Sequence, residues 1–370
     1  MMNMKNFIAL LFWSSATLLQ AQEPATEITI KGKIEGIASG KLYLLAQTGE
    51  EKQDTLGSCQ FKKSKFELKA KLNEPMVTQL IVDGYQGGFR LLAEPGTTYK
   101  ALLTNDSRSY IRGGKLQDDY ETHMIFADSL RNLIQEVRTR YEAHKAQNKF
   151  RSASQANDTL RRAEQLLQQK TQQFLSQHDD LITAYTFQTN ALMKEAGLAE
   201  SKRMYENMGP GAKATLSGRL MKERIDRMEK TQGGAVAPDF TLQDLNGKEV
   251  TLSKVPGKIK ILDFWASWCG PCMREVPYLV DTYKKYHNKG FEIYGVSFDR
   301  AREPWLKAIE EKELDWVHVS AVNYWDNKAR HDYAVNSIPA NFLVDCATGQ
   351  IIAKGLRGEQ VAEKIGELLK

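Results

Sequence analysis

The chain is 370 residues long, which exceeds the size at which a single hydrophobic core usually continues to grow. We therefore expect two or three compact units. Hydrophobic residues make up 42% of the chain and charged residues 26%, values that exclude a fibrous or generally disordered protein. The formal net charge of +5 is spread over segments of mixed sign, without a block of like charges, so nucleic-acid binding is not predicted.

The first 21 residues have the layout of a secretory signal peptide. Lys5 precedes an apolar run over residues 7–19, and the tripeptide 19–21 ends in Ala21, as a cleavage site before Gln22 would. A membrane-spanning helix needs about 20 apolar residues, and no later segment has them. We predict export to the periplasm (cell envelope) and a soluble mature protein, with an uncleaved N-terminal anchor as the alternative.

Residues 22–112 are predicted to form an antiparallel β-sandwich domain. Short alternating or apolar runs are separated here by Gly, Asn, Asp and Pro, a pattern typical of antiparallel β proteins. The predicted strands are 28–34, 41–45, 66–72, 77–82, 89–93 and 99–103.

Residues 113–230 are predicted to be a helical region. Neither glycine nor proline occurs between Lys115 and Ala196, which favours long helices. Apolar residues recur there at intervals of three and four, as on helix-packing faces, and a further helix is expected from Pro210 to about Met228. Glycines in residues 231–236 then predict a linker. The two apolar stripes are Tyr120, Met124, Ala127, Leu130, Ile134, Val137 and Tyr141, and Leu160, Ala163, Leu167, Thr171 and Phe174.

Residues 237–370 have an α/β pattern. The buried strand 259–265, the helix 271–287 and the strand 291–297 make a βαβ unit. Further helices are expected at 302–312 and 360–369, and further strands at 316–319, 341–345 and 350–354.

The chemistry-bearing motif is Cys269-Gly270-Pro271-Cys272, which lies between this buried strand and the helix after it. A thiol attacks a disulfide as its thiolate, and a helix N-terminus favours that negative charge. Pro271 suits the first helical position. We expect Cys269 to be the exposed nucleophile and Cys272 to be the more buried resolving thiol. Cys59 and Cys346 could pair with each other, but we expect them to be free thiols.

Two acids are candidates for handling the proton of the resolving thiol. Asp263 lies within the buried strand, where burial should raise its pKa. Glu275 lies about one helical turn beyond Cys272; on sequence alone an exposed helix-surface carboxylate is an equal alternative.

The segment from Phe264 to Cys272 resembles the active-site segment of thioredoxin-like proteins, and Met273-Arg274-Glu275-Val276-Pro277 extends the resemblance to the TlpA/ResA type. The resemblance implies a thioredoxin-like fold, thiol-disulfide oxidoreductase activity, Cys269 as nucleophile and Cys272 as resolving thiol. It also implies a cis-proline facing the disulfide at Pro339, and it matches Asp263 and Glu275 to acids of that family. The expected substrate contacts are Trp268, Gly270, Pro271, Ile338 and Pro339. The β segment resembles a poorly characterised domain of bacterial envelope proteins.

The expected partners are disulfide-containing exported proteins and an unidentified electron donor, and association with the membrane through a redox partner is left open. No cofactor or metal is expected: there is no second CxxC, and His287, His318 and His331 are scattered. Two other functions are weighed. A thiol peroxidase would need a threonine and a proline where this chain has Ala266, Ser267 and Trp268. A thioredoxin-like binding module of the envelope would have no use for a reactive cysteine pair.

Overall fold

The structure, a computed structural model, describes residues 26–49, 52–106, 108–193 and 196–370. The predicted signal peptide lies outside these residues. Within them, no helix is both long and apolar enough to span a lipid bilayer.

Eight strands form the N-terminal domain within the described residues, and they hydrogen-bond in the order β6-β5-β2-β3-β4-β1-β7-β8. Every pairing is antiparallel except that of β1 with β7. The mostly-strand domain is therefore confirmed. The strands are β1 (Thr26–Ile34), β2 (Ser39–Gln47), β3 (Gln53–Lys62), β4 (Lys65–Leu72), β5 (Met76–Val82), β6 (Phe89–Ala93), β7 (Thr98–Leu103) and β8 (Tyr110–Arg112).

The eight strands make one continuous sheet, whereas a sandwich would have two separate ones. β1 pairs with β4 on one side and with β7 on the other, which joins the two halves. Leu91 on β6 and Ile111 on β8, near opposite ends of the sheet, belong to one core with Ile30 and Leu44. The sheet therefore curves around its own apolar face. The sequence prediction omitted β3 and β8, since β3 has only Phe61 fully buried and β8 is three residues long.

The helical region begins with two long helices, α1 (Lys115–Ala146) and α2 (Phe150–Leu175), which pack against each other. Between them Asn148 takes a left-handed conformation, with φ of 55°. The residues of both predicted stripes are buried or half-buried, so the prediction of helix-packing faces is confirmed. Four shorter helices follow: α3 (Leu181–Met193), α4 (Leu198–Glu206), α5 (Pro210–Ala214) and α6 (Leu216–Lys230).

The single helix predicted after Pro210 is interrupted at Thr215. This residue is extended, and its side-chain oxygen accepts a hydrogen bond from the backbone N–H of Gly218 at 3.2 Å. Thr215 therefore ends α5 and caps the start of α6, because threonine is favoured at that position.

The predicted linker, residues 231–236, is tied to the C-terminal domain at its end. The N–H of Gly234 donates to the carbonyl of Ile351 at 2.8 Å, and the N–H of Ile351 donates to the carbonyl of Ala235 at 2.8 Å. The N–H of Ala237 donates to the carbonyl of Gly349. The segment from Gly234 onward therefore lies along a strand of that domain.

The C-terminal domain is a seven-stranded sheet with helices, so the predicted α/β class is confirmed. The strand order is β10-β9-β13-β12-β11-β14-β15, with β11 parallel to β12 and antiparallel to β14. Every residue of β11 and β12 is buried. The strands are β9 (Thr241–Asp244), β10 (Glu249–Thr251), β11 (Ile259–Trp265), β12 (Phe291–Ser297), β13 (Val317–Ser320), β14 (Ala340–Asp345) and β15 (Ile351–Lys354); the helices are α7 (Gly270–Tyr286), α8 (Arg302–Glu311), α9 (Lys328–Asp332) and α10 (Glu359–Leu368).

Candidate active site

The site lies where the central strand β11 passes into α7. Cys269 and Cys272 form a disulfide there, with an S–S distance of 2.04 Å. Cys269 occupies the N-cap position of α7, and its sulfur accepts a hydrogen bond from the N–H of Cys272 at 3.1 Å. Once the pair is reduced, this N–H and the positive end of the helix dipole favour a thiolate on Cys269.

The expected difference in exposure between the two cysteines is not found. Cys269 is 4% exposed and Cys272 is 3% exposed. Trp268 is 48% exposed, and Gly270 and Pro271 are exposed as well, so these neighbours form the accessible surface. Cys269 is covered because it belongs to the same core cluster as the end of β11. The two thiols are therefore distinguished by the helix start, not by burial.

The predicted substrate-binding loop faces the disulfide. The Ile338–Pro339 peptide bond is cis. The carbonyl oxygen of Ile338 lies 3.7 Å from the sulfur of Cys269, and both loop residues are half-buried. All five predicted substrate contacts thus lie at or beside the disulfide.

Asp263 lies on β11 and is 6% exposed. Burial raises the pKa of its carboxyl from 3.8 to about 7; the charge of Arg357 lowers this pKa and that of Glu275 raises it. A cavity of about 10 Å³ is lined by Asp263, Cys272, Glu275 and Pro339, among others. That volume is near the lower limit of about 10–15 Å³ for one water molecule.

Glu275 is half-buried and is fastened to the start of α10, so the exposed-carboxylate alternative is wrong. Its carboxylate accepts a hydrogen bond from the N–H of Gly358 at 2.7 Å. The preceding residue, Arg357, donates through its guanidinium to the carbonyl of Pro339. The sequence reasoning did not identify Arg357, which lies 18 residues beyond the loop it contacts.

A second buried carboxylate, Asp299, fastens the segment before the nucleophile. It is 1% exposed and accepts hydrogen bonds from the N–H of Ser267 at 3.0 Å and from its hydroxyl at 2.5 Å. It also accepts from the hydroxyl of Ser297 at 2.7 Å. The sequence offered one signal that was not used: an acid two residues beyond the end of a buried strand.

The remaining cysteines lie apart from the site, and the expectation that they are free is confirmed. Cys59 is on β3, in the N-terminal domain, and Cys346 follows β14. Burial raises the pKa of both thiols, which lowers their reactivity. Over the ranges that the structure describes, no group of three or more His, Cys, Asp and Glu side chains is placed to hold a metal ion.

A disulfide at the N-terminus of a helix, facing a cis-proline loop on a mixed α/β sheet, defines a thioredoxin-like domain. Residues 234–353 match the AhpC/TSA family, and residues 28–120 match a domain of unknown function, DUF4369. The thiol-disulfide oxidoreductase ResA of Bacillus cereus is 34% identical over 151 residues, which cover 41% of this chain and 84% of ResA. ResA of Bacillus subtilis is 32% identical over 117 residues, covering 32% and 64%.

Among solved structures, the thioredoxin domain of a thiol-disulfide oxidoreductase from Bacteroides vulgatus is 39% identical, with a TM-score of 0.35; the match covers 38% of this chain and 99% of that one. On the extent of the ResA match, this chain belongs to the thiol-disulfide oxidoreductases of the ResA family.

Proposed function

We propose that this enzyme reduces or isomerises disulfide bonds of exported proteins in the cell envelope, with Cys269 as nucleophile and Cys272 as resolving thiol. The observation that carries this proposal is the position of Cys269 at the N-cap of α7, where its sulfur accepts the N–H of Cys272. The signal-like segment over residues 1–21 supports export. The CGPC motif favours reduction, because thioredoxin has a potential near −270 mV.

The proposed reaction transfers two electrons from the enzyme dithiol to the client disulfide. The thiolate of Cys269 attacks one sulfur of the client disulfide, which forms a mixed disulfide and releases one client thiolate. Cys272 then loses its proton and attacks the sulfur of Cys269, which releases the second client thiolate. The client disulfide becomes two thiols and the enzyme dithiol becomes the disulfide; a dithiol donor returns the enzyme to its reduced form.

Asp263 is the proposed acceptor of the Cys272 proton. A pKa raised to about 7 lets its carboxyl gain and lose a proton near neutral pH, as a general base requires. The cavity that borders both groups has room for about one water molecule as the carrier. Glu275 lines the same cavity, and its hydrogen bond to Gly358 fixes where its carboxylate lies.

The proposal is tested by trapping of the mixed disulfide. A Cys272→Ser protein should accumulate adducts with envelope proteins, because Cys269 still attacks and nothing releases the client. Cys269→Ser should trap little. Both variants are made with Cys59 and Cys346 replaced by serine, so that these thiols contribute no adducts, and non-reducing gels are compared. Equal trapping by the two variants would refute the assignment of Cys269 as nucleophile and Cys272 as resolving thiol.

Two further measurements test the rest of the proposal. The mature protein should begin at Gln22, which N-terminal sequencing of protein from the envelope fraction determines; recovery from the cytoplasm with residue 1 intact would contradict export. The potential of the Cys269/Cys272 couple against glutathione should lie well below about −150 mV, and a higher value would exclude a reductant. Peroxide consumption by the purified protein would favour the thiol peroxidase instead.

A further inference from the structure

A surface beside the disulfide combines two aromatic rings and a cation; Trp268 and Arg300 are exposed and Tyr324 is half-buried. The ring of Trp268 lies 5.4 Å from that of Tyr324, between centroids. The guanidinium carbon of Arg300 lies 3.8 Å from the centroid of Tyr324 on a cation–π contact. Because Trp268 immediately precedes Cys269, the three side chains form a continuous surface that begins at the nucleophile.

Buried hydrogen bonds fix the position of the two chain segments that carry Trp268 and Arg300. Asp299, the residue before Arg300, binds Ser267, the residue before Trp268, so one buried link fixes both chain segments. Tyr324 lies in the loop between β13 and α9 and has a left-handed backbone, with φ of 60°. A non-glycine residue in that region is disfavoured and persists only where its surroundings hold it.

The loop is held by the residue after Tyr324. The ring of Trp325 packs against that of Phe298 at 4.9 Å, and the guanidinium of Arg330 lies over it at 5.1 Å. The contacts of Trp325 therefore hold the loop in place. The ring of Tyr324 contacts Trp268 and Arg300 instead.

The side chain of Arg300 is exposed and has no ion-pair partner in the part of the chain that the structure describes, where no carboxylate lies within 4.0 Å of its guanidinium. Many other surface cations here are paired, for instance Arg108 with Glu35 and Lys328 with Asp332. A guanidinium over an aromatic ring still has N–H groups to donate to a planar carboxylate.

We propose that the surface of Trp268, Tyr324 and Arg300 selects client polypeptides that carry an aspartate or glutamate beside the disulfide to be reduced. The proposal rests on the proposed function: it names the substrate class of the same site. The client carboxylate binds Arg300, and the client backbone and apolar atoms cover the two rings. A polypeptide fits better than a small acidic disulfide, because this surface is open and extends beyond the cysteines.

The test uses the reduced full-length enzyme in single-turnover reactions with three synthetic peptides. Each holds one intramolecular disulfide, flanked by aspartate, asparagine or lysine. The wild-type protein should reduce the aspartate peptide about threefold to fivefold faster than the asparagine peptide, the size of a surface charge pair, and the preference should fall with added salt. Arg300→Gln should abolish the preference, so that this variant reduces the aspartate and asparagine peptides at equal rates.

Two controls separate recognition from general charge and from folding. Arg151→Gln, which removes the same charge from α2, should keep the preference. Tyr324→Phe should keep it too, because the ring that supports the guanidinium remains, whereas Tyr324→Ala should lose it.

Every other result of this experiment refutes either the recognition surface or the proposed function. Equal rates on all peptides, or a preference that survives Arg300→Gln, would refute the recognition surface while leaving the proposed function intact. Reduction of none of the peptides would overturn both. Oxidised glutathione reacting faster than the aspartate peptide, with an equal loss on Arg300→Gln, would assign the surface to small acidic disulfides instead.

Discussion

Replacement of Asp263 by asparagine should stabilise the oxidised protein, and the gain should depend on pH. Burial raises the pKa of this carboxyl from 3.8 to about 7 in the folded state, so ionisation opposes folding. Below pH 4 the carboxyl is protonated in both the folded and the unfolded chain, and its contribution to stability is fully present. As pH rises through about 7 that contribution is lost, because the unfolded chain releases the proton first.

The size of the effect follows from the shift in pKa. Each pKa unit corresponds to about 1.4 kcal/mol, so a move from 3.8 to about 7 corresponds to roughly 4 kcal/mol. Asparagine has a similar shape and no charge. Its advantage over Asp263 should therefore grow between pH 4 and pH 7 and remain constant above pH 8, at about 2–4 kcal/mol if the cavity admits water.

The assay is urea denaturation of the oxidised wild-type and Asp263→Asn proteins at several pH values from 4 to 8. Fluorescence of the tryptophans follows the C-terminal domain, since all those in the described residues lie after residue 264. Asp281→Asn, at an exposed position on α7, is the matched control and should show no such trend. A stability difference that is the same at pH 4 and pH 8 would refute the argument from burial.

Three further predictions concern the elements that hold the site. Asp299→Asn should lower the free energy of unfolding by about 2–3 kcal/mol, because it replaces one of the two buried oxygens that accept hydrogen bonds from Ser267 and Ser297. It should also change the pH dependence of the alkylation of Cys269, which general destabilisation would leave unchanged. Glu275→Gln should retain the hydrogen bond to Gly358 and keep stability, whereas Glu275→Ala should lose about 1–2 kcal/mol; if both variants lose stability equally in thermal unfolding, the bond is not the cause. A fragment of residues 233–370 should fold and reduce insulin with dithiothreitol, since it keeps the pairing of Gly234 and Ala235 with Ile351; a folded but inactive fragment would show that the N-terminal half completes the site.

The C-terminal domain was predictable because its signals are local. β11 is an apolar run, the cysteines follow it at once, and Pro271 marks the start of α7. In the N-terminal domain the local signal was weaker: β3 alternates between exposed and half-buried positions and has Gly57 in its middle. Its pairing with β2 forms the strand, and a single sequence does not display that pairing.

The site residues that belong to a short sequence motif were predictable. Those that come together only through the fold were not. Cys269 and Cys272 are only three residues apart, so their pairing needed no tertiary information. Asp299 lies 32 residues from Ser267, and only the parallel pairing of β11 with β12 brings them together. The burial of Cys269 was mispredicted for the same reason, since the elements around its position at the helix start decide how much of it water reaches.

The dipeptide Arg357-Gly358 joins the two sides of the active site. Arg357 binds the carbonyl of Pro339 on the loop facing the disulfide, and Gly358 binds the carboxylate of Glu275 on α7. Both residues precede α10, so the last helix of the chain sets the position of the loop relative to the helix that carries the cysteines. The positive charge of Arg357 also lowers the pKa of Asp263, against the larger effect of burial. One short connection therefore fixes the geometry of the disulfide exchange and limits the rise in the pKa of Asp263, the group proposed to receive the proton of Cys272.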